Sequence, residues 1–210
     1  MTGYTDYLFL LTPPEVIKTE VMRYKKASAK YIGDFPGLQS PANIIVNQLD
    51  RQKPYMTETA MENLHARLSV MPPVLLHMDG FKNISQLHGK FAIYAYMRST
   101  PAMESWFALL CKNLNIKKTV FPHIPVVRNI AEVDFKKLWP NFQHKKLAEP
   151  FWLRELKVLQ RESFGTTHGK WEPYKTIEFK NATAMLEKNT WKAQQLAKAE
   201  IAAEKQVKFF

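Results

Sequence analysis

The sequence predicts an α+β fold made of two similar halves that face each other across a cleft. Three observations predict it. Helix and strand signals alternate along the chain, the helices open at prolines, and one strand–helix–loop–strand series occurs twice. The first copy covers about residues 6–49 and the second about 91–128. Each copy ends on a comparable phrase, Pro41-Ala42-Asn43-Ile44-Ile45-Val46 and Phe121-Pro122-His123-Ile124-Pro125-Val126, and a further helix and strand follow each. Two facing halves leave a cleft between their sheets, and lobe interfaces are favoured places for ligands.

Taken in order, Tyr7–Leu11 is an apolar strand. Thr12-Pro13-Pro14-Glu15 reads as a capping box, with a hydroxyl at the cap and Glu three residues on. Ile17, Val21 and Tyr24 then mark one face of a helix. A Gly/Pro loop from Gly33 to Pro41 leads into an extended run, Asn43–Leu49. A second helix is expected over about Thr57–Ser69, with Met61, Leu64 and Leu68 on one face, and Val74–Met78 is the next strand.

Asp79-Gly80 reads as a turn, after which strand resumes at Phe91–Met97. Thr100-Pro101 opens a third helix carrying Met103, Phe107, Leu110 and Leu114 on one side. A strand at Phe121–Arg128, a short helix near Asp134–Trp139 and a long hairpin complete the domain. The hairpin arms are about Phe151–Glu162 and Tyr174–Phe179, with Gly165 and Gly169 at the tip. The domain is expected to span residues 1–180. Residues 181–210, rich in Ala, Lys, Gln and Glu without Gly or Pro, are expected to form a helical appendage.

Composition narrows the functional class. With 46% hydrophobic and 23% charged residues the chain can bury a sizeable core, so disorder is not the default reading. The single cysteine, Cys111, permits no intrachain disulfide and favours a reducing, cytoplasmic location. No apolar run approaches the ~20 residues of a membrane span, and Tyr7–Leu11 reads as a strand feeding a helix, not as a signal peptide. The formal charge of +11 suits a polyanionic partner, because basic side chains displace counterions from phosphate, although solubility alone also accounts for it.

His123 is the most informative residue. It lies early in a strand, where residues two apart share a face, so His123, Pro125 and Val127 are expected on one side and Ile124, Val126 and Arg128 on the other. A lone strand histidine is more often structural than catalytic. Its setting, Phe121-Pro122-His123-Ile124-Pro125-Val126, resembles the second signature of the 2H phosphoesterases, the superfamily of the bacterial 2′-5′ RNA ligases. In that family His-apolar-Thr/Ser-apolar occurs once in each lobe. The resemblance covers about residues 5–180 and implies two lobes of antiparallel sheet flanked by helices. It further implies chemistry without a cofactor or metal. One imidazole takes a proton from the attacking oxygen, the other protonates the leaving oxygen, and the hydroxyls hold the non-bridging oxygens. The family opens 2′,3′-cyclic phosphates or makes and breaks 2′-5′ linkages.

The chain departs from that pattern. The first motif reads Asn43-Ile44-Ile45, with an amide where the family has histidine and no hydroxyl at position 45; at the second, Pro125 takes the place of Thr/Ser. Asn43 cannot carry a proton near neutral pH. The resemblance therefore implies a degenerate protein that binds a phosphodiester, a cyclic-phosphate nucleotide or an RNA end, with His123 as the surviving anchor and weak or no catalysis. A working enzyme in which another group replaces the missing histidine is the alternative. A structural or protein-interaction domain with a vestigial cleft is a third reading.

Tyr94 and Tyr96 share a strand face and are candidate stacking platforms for bases, although strand aromatics are more often core residues. His168 stands in Gly165-Thr166-Thr167-His168-Gly169-Lys170-Trp171, which reads first as an ordinary turn and second as a cover over the cleft. His65, His77, His88 and His144 show no metal-ligand spacing with another His, Cys or carboxylate. Ile45 and Pro125, at the family's hydroxyl positions, complete the candidate substrate-binding set. The expected partners are RNA ends or small nucleotides rather than a membrane, and a monomer is expected.

Overall fold

The computed structural model describes residues 3–164 and 167–181, with backbone alone at Met56, Phe164, Thr167 and His168. The expected C-terminal helix and the tip pair Gly165-Thr166 lie outside the described residues. The chain runs β1 (Tyr4–Leu11), α1 (Glu15–Ile32), β2 (Ile44–Gln52), α2 (Pro54–Ser69) and β3 (Val74–Ser85). It then repeats this order as β4 (Lys90–Met97), α3 (Pro101–Asn113), β5 (His123–Ala131), α4 (Glu132–Leu138) and β6 (Pro150–Leu153). β7 (Glu155–Phe164), β8 (Thr167–His168) and β9 (Glu172–Glu178) follow.

The duplication survives into three dimensions. β2 pairs antiparallel with β1, and β5 pairs antiparallel with β4. Each sheet is then completed from the other half: β3 leaves the first half to pair with β4, and β7 returns from the end of the chain to pair with β1. The strand orders are β2-β1-β7-β8, with β9 also on β7, and β5-β4-β3-β6. Exchanging strands in this way joins the lobes through backbone hydrogen bonds as well as side-chain packing. α1 crosses to the second half as well, lying against α4 and β5.

Alternation assigns the strand faces. Tyr7, Phe9 and Leu11 are buried in the core with Ile44 of β2, and Leu76, Met78, Ile93 and Ile124 are their counterparts in the second sheet. In α1, Ile17, Val21, Lys25 and Ser28 are buried, a stripe at i, i+4, i+8 and i+11. The helix is sealed at its end by Gly33, whose φ of 75° lies where glycine is at home.

Three local expectations are corrected. The capping box at Thr12 does not form: the cap is Pro14, with φ −57° and ψ 159° and no side-chain hydrogen bond, and the helix begins at Glu15. Thr12 and Pro13 each precede a proline, which disfavours helical backbone and delays the start. Thr100, by contrast, caps α3, its hydroxyl accepting from the backbone N–H of Met103 at 3.2 Å.

Asp79-Gly80 is not a turn. It lies inside β3, where the register with β4 shifts between Met78 and Phe81, and Gly80 takes φ 80° within the bulge. The chain reverses instead at Leu87–Gly89, where His88 and Gly89 both have positive φ. The long hairpin arm is likewise two strands. Phe151–Leu153 pairs with β3, the chain passes Arg154, and from Leu156 onward it pairs with β1 in the other sheet.

No helix among the described residues is long and apolar enough to cross a membrane.

Candidate functional site

Equivalent strands of the two halves, β2 and β5, come together at a cleft of about 490 Å³. Asn43 and Ile45 line it from the first half, and Pro125 and Arg128 from the second. Leu8 and Leu10 of β1, on the face opposite Phe9, form part of its wall, with Leu159 and Trp171 from the last strands. Ile45 is 47% exposed despite its apolar side chain, so it borders open space and does not plug it.

The other residues singled out from the sequence take distinct places. Tyr96 pairs with His123 and Tyr94 with Pro125 in the β4–β5 ladder. Paired residues point to the same face, so these four share the face on which Pro125 reaches the cleft. His123, Tyr94 and Tyr96 stand beside the cleft and outside its lining.

His123 is exposed, and its ring meets Tyr94 edge-on with centroids 5.0 Å apart. Its Nδ1 lies 2.8 Å from the carbonyl oxygen of Phe121. A carbonyl only accepts, so Nδ1 carries the proton and, in the neutral ring, Nε2 presents a lone pair. Tyr96 is differently engaged. Its hydroxyl donates to Asp79 at 3.1 Å, and the Lys82 ammonium sits 3.8 Å from its ring centroid, so one ring face is covered. His168 belongs to β8 as backbone; its side chain lies outside the description.

Sequence reasoning passed over two cations. Arg128 was expected on the face opposite His123 and Pro125. A bulge in β5 changes this: Tyr94 pairs with Pro125 and Ile93 with Val127, so Val126 is the extra residue and the alternation inverts beyond it. Val126 and Val127 are both buried, and Arg128 turns into the cleft. There it packs on Gly37, where a Cβ would lie 2.7 Å from its Nε.

Lys25 is the second. It is only 3% exposed, and its ammonium donates to the carbonyls of Gly37 and Ser40, each at 2.8 Å, tying α1 to the loop that delivers Asn43. Its position on the stripe of Ile17 and Val21 was the available signal. Burial lowers its pKa from 10.5 to about 8, and the like charge of Arg128 adds to the fall.

That lysine makes stability depend on pH. Its folded pKa lies below its unfolded one, so between about pH 8 and 10.5 the unfolded chain holds a proton the folded chain has lost. Stability is expected to rise with pH through that window, by up to about 3 kcal/mol. Tyr7 and Tyr174 act the other way above pH 10, because burial holds their hydroxyls above the ordinary value. Urea midpoints from pH 7.5 to 10 should therefore climb in the wild type and flatten in Lys25→Met; parallel profiles would refute the assignment.

Duplicated strand–helix–strand halves, exchanged strands and a cleft between the paired sheets define the class: a two-lobed α+β protein with an antiparallel sheet in each lobe. Solved structures, one of them a phosphoesterase, share this fold. E. coli LigT bound to 3′-AMP superposes with a TM-score of 0.56 at 12% identity, covering 85% of this chain and 99% of LigT. The TT0787 protein of Thermus thermophilus gives 0.59 at 10%, covering 83% and 98%. Kluyveromyces marxianus Usb1 gives 0.50 at 13%, covering 85% and 99%. At such identities the likeness is one of fold. No family model and no curated protein matches the sequence itself.

Proposed function

We propose that this chain is a degenerate 2H phosphoesterase, similar to the 2′-5′ RNA ligases, which binds phosphodiesters, cyclic-phosphate nucleotides or RNA ends and has little or no turnover. The observation that carries the reading is the meeting of equivalent positions, Asn43 and Ile45 from one half and Pro125 from the other, around one cleft. The space between them is open, which favours a ligand over a vestigial, filled cleft. The structures of LigT with 3′-AMP, phosphate and ATP support phosphate-bearing ligands for the fold.

Asn43, Ile45 and Pro125 lack the proton-carrying and hydroxyl groups of the family, and each general acid or base is worth about 10²–10⁴ in rate. Catalysis is correspondingly weak. The free Nε2 of His123 favours one second reading, an active enzyme in which a water held by Asn43 or a neighbouring group stands in for the other imidazole.

The experiment is a turnover and binding assay with 2′,3′-cyclic nucleotides and a 2′-5′-linked dinucleotide on wild type and His123→Ala. The expected result is negligible turnover, with binding about tenfold weaker in the variant, the loss of roughly one hydrogen bond. Because His123 is exposed, its removal should leave the melting temperature unchanged. Wild-type turnover that collapses in His123→Ala would establish the enzyme instead, and no binding by either protein would overturn both readings.

A further inference from the structure

The cleft carries two cations and, among its described lining residues, no carboxylate. Neither Lys25 nor Arg128 takes part in an ion pair among the described residues. They are nonetheless close enough for the charge of Arg128 to act on Lys25. Both meet at Gly37: Lys25 binds its carbonyl, and Arg128 lies where a side chain at that position would stand. A buried ammonium beside a like charge, with no counter-charge, is costly, and such arrangements persist where a ligand supplies the charge.

We propose that Lys25 and Arg128 form a binding site for the dianion of a terminal phosphate, a phosphomonoester at the end of a nucleotide or RNA. The inference rests on the phosphate-binding reading above and sharpens it from diester to monoester. Two cations match two negative charges, whereas a diester or cyclic phosphate carries one. The guanidinium presents a planar fork suited to two phosphate oxygens, and Lys25 has one donor beyond the two it gives to Gly37 and Ser40. Gly37 is part of the device, since any side chain there displaces Arg128.

Adenosine 3′-monophosphate, adenosine 2′,3′-cyclic monophosphate and inorganic phosphate make the test, titrated calorimetrically into the full chain at pH 7.5. The monophosphate is expected to bind about tenfold or more tightly than the cyclic ester. Arg128→Gln, at an exposed position that the fold does not depend on, should erase that preference. Lys25→Gln, which can still donate to the loop carbonyls, should do the same.

The pH dependence separates a binding role from a structural one. Lys25 and Arg128 are the ionisable side chains of the described lining. Monophosphate binding should be strongest between about pH 6, where the second phosphate proton leaves, and about pH 8, where Lys25 is neutralised. In Arg128→Gln the upper limit should move to higher pH, because the like charge is gone. If the cyclic ester binds but the monophosphate gains nothing, or if Arg128→Gln binds both as the wild type does, this inference falls while the phosphate-binding reading stands. Binding of none of the three ligands overturns both.

Discussion

Asp6→Ala is expected to cost the protein about 3–5 kcal/mol, the loss typical when one partner of a buried ion pair is removed. Asp6 is fully buried in β1, the strand between β2 and β7. Its two carboxylate oxygens serve the two neighbours: one accepts from the backbone N–H of Arg51 in β2, the other from Nε of Arg161 in β7, both at 2.9 Å. The first contact repairs a defect. The β1–β2 register shifts between Thr5 and Tyr7, and Arg51 takes a left-handed φ of 53° beside it, so the carboxylate fills the place of a ladder partner.

Removing Asp6 therefore strands a backbone donor and a guanidinium whose side chain is 19% exposed. The damage should reach the cleft, because Arg161 also lies over the ring of Trp171 at 4.3 Å, and Trp171 is in the cleft lining. Chemical denaturation followed by tryptophan fluorescence reads both effects. Asp6→Asn, which keeps an acceptor but not the charge, should lose less. A cost under about 1 kcal/mol for Asp6→Ala would mean that the bulge is held by other contacts.

The architecture was legible because its signals are local and repeated. Pro-opened helices and the phrases at residues 41–46 and 121–126 announce two comparable halves, and those halves appear as β1–α1–β2 and β4–α3–β5. What escaped was set by pairing between distant strands. Asp79-Gly80 has the chemistry of a hairpin turn and equally that of a bulge needing positive φ at glycine; only the partner strand decides. Arg154 carries no breaker signal, so the passage from one sheet to the other was invisible. Arg128 was hidden by the same kind of event, a bulge at Val126 that inverts a period of two. Lys25 shows the converse: a charge on an apolar helical stripe was visible, but its value depends on Gly37 and Arg128, brought in from a loop and from the other half.

The largest functional effect is expected from restoring what the first motif lacks. Asn43 borders the cleft opposite Pro125, and His123 stands two residues before that proline on the same strand face. On the reading proposed above, Asn43→His returns the second imidazole to its family position. A positioned general acid or base contributes about 10²–10⁴, so hydrolysis of a 2′,3′-cyclic nucleotide should rise by about 10²-fold or more over wild type. Adding Ile45→Thr and Pro125→Thr should raise it further, since hydrogen-bond donors aimed at developing phosphate charge each contribute up to about 10²–10³. Two features distinguish a true pair from a generic basic side chain. The pH–rate profile should become bell-shaped, as one ring must be neutral while the other is protonated. His123→Ala, introduced into the Asn43→His background, should abolish the gain completely, because the two rings act as a unit. A variant that folds, binds the nucleotide and shows no gain would mean that position 43 is not the counterpart of the missing histidine, and the cleft's chemistry would then have to be sought in the Lys25–Arg128 pair alone.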